Sequence, residues 1–459
     1  MLDKLNNIFE SIISQNKNLT HQLNKINLRI IKQFSKKEYS FRSLKKIGFF
    51  LFIMGIFVLP SMLFFGGIFI FLAGLIGSFI HKQSYFNDRW NKRFFICGLL
   101  ITVSTITHIY KLNDSYSDIL ESSLSILGTF NWLPFFWLFW AIQPYMDSKK
   151  KRQKIALFLI SGTFPILISG FGQYFFNWTG PFETLNGLII WYQRQLGDHG
   201  LTGPFNNQNY AGAWLSLVWP FSIAFLIEKT NSSAKKYTAI LFFLMIGLAA
   251  ILTNSRNAWA SILLSLPLVL NISSLYWLLP LVFLIFIIIT ITSNELFTGE
   301  IQEAFRAIIP EKIWMEFTQK VKLTRMDIFI SSFKISLIEP IFGLGGGAFP
   351  VIYELQNNIW RGHPHNLILE LAVSYGYPAT ILLIINISLL LINSSKYVFN
   401  KKYQDNPYFS FEKAWWVSIF IFLISQSVDV QYFDGRISIV CWILLAGLKT
   451  IIDDQVQEV

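Results

Sequence analysis

At 459 residues the chain is 53% hydrophobic and only 14% charged, with 45 phenylalanines. A soluble fold of this length has no interior large enough to hide that much apolar surface, whereas a bilayer solvates it. The net charge of +11 sits in short clusters between apolar runs, the pattern of topology determinants rather than of a nucleic-acid-binding surface, so no nucleic-acid partner is expected.

Residues 1–46 form a basic arm, with ten Lys or Arg against three acids and apolar residues at partly helical spacing (Leu5, Ile8, Phe9, Ile12). It reads either as an interfacial segment or as a solvated cytoplasmic tail, and no cleavable signal peptide is expected in it. Twelve apolar runs follow, near 47–60, 61–80, 94–110, 127–144, 155–172, 209–228, 237–253, 257–272, 275–293, 367–393, 414–428 and 437–452. Each is long enough to cross about 30 Å of hydrocarbon, some with tilt or interfacial help. The predicted organisation is transmembrane helices 1–9 over 47–293, one large loop over 294–366, helices 10–12 over 367–452, and a short tail at 453–459. Cys97 and Cys441 both lie inside apolar runs, so neither a disulfide framework nor a cysteine metal site is expected.

Charge gives the orientation. Lys and Arg collect in 81–93, 145–154 (Lys149, Lys150, Lys151, Arg152, Lys154), 229–236 and 394–413, while 111–126 has only Lys111 beside Asp114, Asp118 and Glu121. Positive residues favour the cytoplasmic side, so both termini are expected inside. Four motif-like connections then share the outer face: 203–209, 254–256, the loop 294–366, and 429–436.

The richest of these is the stretch from Arg325 to Ala379. An amphipathic segment opens at Arg325, with Ile328, Phe329, Ser332, Phe333, Ser336 and Leu337 on one face, a spacing suited to the bilayer surface. Pro340 and the glycine cluster Gly343, Gly345, Gly346 and Gly347 follow, then Arg361-Gly362-His363-Pro364-His365-Asn366. The cluster has no lysine and no preceding strand, which excludes a P-loop; it reads as a close backbone approach to a phosphate or to another loop. Arg256, Arg325 and Arg361 each read alone as a snorkelling arginine, and together as planar clamps for diphosphate oxygens. His365 reads either as a general base or, with Asn366, as part of a helix cap. His363 has no third His or Cys nearby in sequence, so no metal site is expected. The turn from Gly203 to Asn209, with Asn207 and Asn209, suits sugar hydroxyls or a helix cap. Asp429, Asp434 and Arg436 read as mutual partners or as a second acid–base group.

These motifs together resemble the O-antigen ligase and polymerase superfamily of bacterial membrane glycosyltransferases, over roughly residues 200–392. His365-Asn366 followed by Gly376 is similar to the family's His-Asn…Gly-x-x-Gly signature, with Ala379 at the second glycine. Arg325 with Pro340, Gly343, Gly345 and Phe349 resembles its Arg…Pro-x-x-Gly-x-Gly-x-x-Phe run, and Thr253-Asn254-Ser255-Arg256 and the 203–209 loop resemble two further motifs. The resemblance implies an all-α polytopic membrane protein of GT-C-like plan, with about 12 transmembrane helices and a periplasmic loop bearing amphipathic helices. It implies a metal-independent, inverting glycosyltransferase of the bacterial inner membrane, with no cofactor and its site on the periplasmic face. The donor would be an undecaprenyl-diphosphate-linked glycan and the acceptor a hydroxyl of lipid A core, a growing glycan or a protein. By the resemblance His365 would be the base and Arg256 and Arg325 the diphosphate ligands; on the residues alone Arg361 joins those arginines, and Asn207, Asn209, His363, Asn366 and Gly345 are candidate sugar or loop contacts. A transporter, for inorganic carbon or a lipid-linked sugar, is the rival reading; it calls for charges inside the membrane core and internal repeats, and neither is evident.

Overall fold

A computed structural model describes residues 41–81, 83–110, 116, 120–196, 200–230, 232–271, 275–293, 299–308 and 325–458. The basic arm up to residue 40 and the part of the large loop at 309–324 lie outside the described residues. The chain is almost wholly helical: α1 (41–58), α2 (Leu63–Ile80), α3 (Arg89–Ile109), α4 (Ser122–Thr129), α5 (Leu133–Ala141), α6 (Lys149–Gly162) and α7 (Phe164–Phe176) come first. A short antiparallel hairpin, Phe182–Thr184 with Ile189–Trp191, intervenes. Then come α8 (Gln208–Ile227), α9 (Ser233–Leu252), α10 (Arg256–Leu270), α11 (Leu275–Ser293) and α12 (Glu300–Ile308). The last are α13 (Arg325–Ser336), α14 (Ala348–Asn357), α15 (Leu367–Val398), α16 (Phe409–Ser425) and α17 (Gly435–Glu458).

Among the described residues the apolar runs are largely helical, and they include eight helical stretches long and apolar enough to cross a membrane. A helix satisfies its own backbone, which is what hydrocarbon demands of any spanning segment. The bundle is organised from the inside out. α8 and most of α17 are buried on all sides, with Trp214, Phe221, Trp442 and Leu444 fully enclosed. α2 and α9 stand at the periphery and turn Phe64, Phe71, Leu241 and Leu244 outward, a surface that only lipid covers cheaply. α8 packs on α9, α10 and α16, while α15 packs on α3, α13, α16 and α17.

The helix ends at the lysine-rich side carry the ion pairs. Arg152 on α6 is buried and forks onto Glu412 of α16, with Nε–Oε1 at 2.8 Å and Nη2–Oε2 at 2.9 Å. It also reaches Asp454 of α17 at 2.7 Å, so three helices are tied by one guanidinium whose planar fork suits bidentate carboxylate pairing. Lys449 bridges Asp88, at 2.9 Å, and Asp453.

At the opposite end the backbone of α15 breaks. Gly376 sits at φ 77° and ψ 171° inside an otherwise helical run, a conformation open to glycine and strained for other residues. The carbonyls released above the break find donors in the glycine cluster: Leu344 N–H to Val373 O at 2.7 Å and Gly345 N–H to Ser374 O at 3.0 Å. Below it, Tyr377 N–H returns to Pro340 O at 2.8 Å. A Cβ on Gly343 would lie 2.6 Å from the Ser374 carbonyl carbon. The cluster therefore allows one loop to lie against another backbone, and its close partner is α15.

Candidate active site

His363-Pro364-His365-Asn366 is the lead-in to α15. The Asn366 side chain accepts the N–H groups of Ile368 (2.9 Å) and Leu369 (3.1 Å), using two donors that a helix start leaves unmet. The same side chain donates to Ser427 O at 2.9 Å. Just before this cap, His365 adopts φ +53°, left-handed backbone that a non-glycine residue holds only when its surroundings impose it. The imposed conformation sends its backbone N–H to His363 Nδ1 at 3.2 Å and its own Nδ1 to Asp429 Oδ1 at 2.8 Å.

Asp429 lies 64 residues away, in the turn after α16. That turn is knitted internally: Gln426 Oε1 accepts Gln431 N–H (2.9 Å) and Tyr432 N–H (3.1 Å), and Asp429 Oδ1 accepts Val430 N–H at 3.0 Å. It is also where separate elements meet. Leu367 N–H bonds Gln426 O at 2.9 Å, and Asn257, the second residue of α10, reaches Ser425 O at 3.3 Å. Burial alone would raise the Asp429 carboxyl, but the hydrogen bond from His365 and the positive charges nearby hold it below its ordinary value. It is a carboxylate at neutral pH. A carboxylate accepts only, so His365 carries its proton on Nδ1 and leaves Nε2 as a base. His363 is pushed down to about 4, chiefly by burial, with His365 and Arg325 acting the same way, and is neutral.

Arg325 is exposed at the first position of α13, close enough for its charge to bear on both His363 and Asp429. Arg361 is half-buried, and its Nε has no hydrogen-bond partner among the described residues. Arg256 is exposed at the first position of α10, next to the Asn257 that docks on the turn. Asn209 lines one small cleft with Ser255, Asn257 and Ser425. The structure thus gathers His363, His365, Asn366 and Asp429 directly, with Arg325 in electrostatic reach and the Arg256 helix start against the same turn.

Other expectations are redistributed. Asn207 is a cap, accepting Asn209 N–H at 2.7 Å. A Cβ on Gly345 would meet His108 and Ser125. In α13 the face is rotated: Ile328, Ser332, Ile335 and Ser336 point inward while Phe333 and Leu337 are exposed, because this helix packs on α14 and α15. Asp429 and Arg436 are not partners. Arg436 stacks over Phe205, 4.7 Å from its ring centroid, and stands 3.8 Å from Asp434. Arg194, which the sequence did not single out, is held by Asn206 through Nε at 2.9 Å. The sequence signal for Asp429 was its place in a polar segment between two apolar runs; nothing local named its partner.

Beneath the turn lies an apolar cavity of about 160 Å³ between α15, α16 and α17. Leu367, Gln426 and Ser427 line it at the histidine end, and Leu383, Ile387 and Leu391 at the other. The slot is apolar along most of its length, with the polar Gln426 and Ser427 at the end next to the turn.

Fold and site thus define a polytopic helical membrane protein with a carboxylate-oriented histidine at one end of its bundle. Residues 240–384 match the family model described as O-Antigen ligase, so this part of the chain is similar to that family. The matched stretch runs from α9 past the histidines into α15; Asp429 lies outside it. No curated protein matches the chain.

Proposed function

We propose that this protein transfers a glycan from an undecaprenyl-diphosphate carrier to an acceptor hydroxyl on the periplasmic face of the inner membrane, in the manner of an O-antigen ligase. The observation that carries this is the 2.8 Å contact between His365 and buried Asp429, with Arg325 in electrostatic reach. In the proposed step, His365 Nε2 takes the proton of the acceptor hydroxyl as its oxygen attacks the anomeric carbon. The bond from that carbon to the diphosphate oxygen breaks, with inversion, and the diphosphate leaves as an anion needing no proton. Asp429 stabilises the imidazolium that forms. Arg256, Arg325 and Arg361 meet the charge growing on the leaving group, the place where preorganised cations contribute most, so the step calls for no metal ion or cofactor. General-base assistance contributes typically ~10²–10⁴ in rate. The isoprenoid chain would occupy the slot between α15 and α17, and the lysine-rich helix ends would face the cytoplasm, as the positive-inside bias favours.

His365→Asn tests the reading, since asparagine tolerates left-handed backbone and alanine does not. Transfer should fall to background in a purified assay while the donor still binds; full turnover by this variant sinks the assignment. Arg256→Lys and Arg325→Lys should raise the donor KM, because a point charge does not replace a planar fork. The acceptor is read from a deletion strain: accumulated lipid-linked polymer means a ligase, single repeats mean a polymerase, and an unglycosylated protein means an oligosaccharyltransferase.

A further inference from the structure

We propose that His363, His365 and Asp429 form a binding site for one divalent transition-metal ion of the zinc class, and that its occupancy silences transfer. The sequence offered two histidines and no third ligand; the fold supplies one. A donor atom from each of the three lies within 4.8 Å of the other two. His363 Nδ1 faces the His365 N–H and His365 Nδ1 faces the carboxylate. Their rings stand at 67° with centroids 4.4 Å apart. The carboxylate is anchored by Val430 N–H at 3.0 Å, a support of the kind that orients metal ligands.

Two imidazole nitrogens and one carboxylate oxygen, with a position left open, is the donor set that zinc and its neighbours take in open sites. Ligand bonds of about 2.0–2.2 Å place donors roughly 3.3–3.5 Å apart, so side-chain rotation must close the cluster by up to about 1.4 Å. Calcium and magnesium, which want six or more oxygens or several retained waters, do not fit two imidazoles. An ion seated here replaces the proton shared by His365 Nδ1 and Asp429. The carboxylate then serves the metal and no longer stabilises an imidazolium. Arg325 opposes the added positive charge, which makes the occupancy reversible. The binding rests on geometry alone; the silencing rests on the base role proposed above.

The test uses full-length protein purified without a metal-affinity tag, stripped with chelator and held in lipid nanodiscs. Co²⁺ is titrated and followed by its visible absorption, with Zn²⁺ as competitor. The expected result is one ion per chain, binding weakened at least about tenfold by His363→Gln and by Asp429→Asn, and tightened by Arg325→Gln. Transfer by the unmodified protein should fall along the same Zn²⁺ titration and recover on chelation. Absence of a one-to-one Co²⁺ spectrum, or binding indifferent to both ligand variants, overturns the site. Zn²⁺ that binds and leaves transfer unchanged, or raises it, overturns the silencing. Full transfer by chelated His365→Asn overturns the base role instead and leaves the metal site standing.

Discussion

Replacing Asp429 by asparagine removes one charge and almost no volume. The amide oxygen can still accept Val430 N–H, which Asp429 holds at 3.0 Å, so the turn should keep its shape. What changes is the partner of His365. In the native protein Nδ1 faces a carboxylate oxygen at 2.8 Å, with Asp429 only 4% exposed. When Nε2 takes a proton, the new imidazolium gains a charge-assisted hydrogen bond that a neutral amide supplies poorly. Hydrogen bonds to charged groups contribute about 1.5–3 kcal/mol. At 1.36 kcal/mol per decade this becomes a roughly 10- to 150-fold loss in kcat, and the enclosed site favours the upper half of that range. The donor diphosphate does not touch this carboxylate in the proposed arrangement, so KM for the donor should hold. The assay is steady-state turnover in nanodiscs, with the polyprenyl-diphosphate glycan varied at saturating acceptor and product read by mass spectrometry. A variant within twofold of the parent in kcat, or one losing donor affinity with kcat intact, would falsify the orienting role.

Other perturbations probe the frame. Arg152→Met strands Glu412 in a buried site and should lower stability by about 3–5 kcal/mol, seen as an earlier thermal midpoint in detergent; adding Glu412→Leu should recover most of it. Gly376→Ala places a Cβ 2.2 Å from Ile341 O on left-handed backbone, and should cost about 2–5 kcal/mol from strain and overpacking combined. A midpoint unchanged by this substitution would remove the reason given for glycine there. His81, stacked on Trp140 at 4.8 Å, is held below its ordinary 6.5, chiefly by burial, with the charge of Lys449 acting the same way. The unfolded chain binds that proton more readily, so His81 contributes a loss of stability as pH falls below about 6.5. His81→Gln should make the decline between pH 6.5 and 5 shallower, measured by thermal unfolding at each pH.

The helices were legible because hydrocarbon imposes a crude rule: an apolar run of sufficient length becomes a helix whatever its neighbours do. His365 and Asn366 were legible as a pair because capping is local chemistry, settled within three residues. Asp429 was not, since its partner arrives only when the end of α16 meets the start of α15. A still longer separation in sequence hid Arg436 from Phe205. The glycine cluster announced a close approach, yet its target, the opened carbonyls at 373 and 374, exists only because α15 breaks at Gly376. The face of α13 was misjudged for a related reason. Spacing gives which residues share a side, but small serines served equally well for a water-facing stripe and for a tight helix contact, and packing on α15 chose the latter.

The break at Gly376 divides labour within one helix. Before the break the carbonyls of Val373 and Ser374 are bonded to the 340–345 loop and Leu367 and Leu371 border the oily slot; after it only Tyr377 returns to that loop, and Leu383, Ile387 and Leu391 continue the slot wall. A fat carbon chain threading that slot would meet both segments, the upper one held by its loop and the lower one able to tilt at the joint. The joint absorbs the tilt, and the imidazole above keeps its aim while the slot breathes. Spin labels placed on the two segments should therefore change separation when a long-chain lipid diphosphate is added, whereas labels on the upper segment and the 340–345 loop should not.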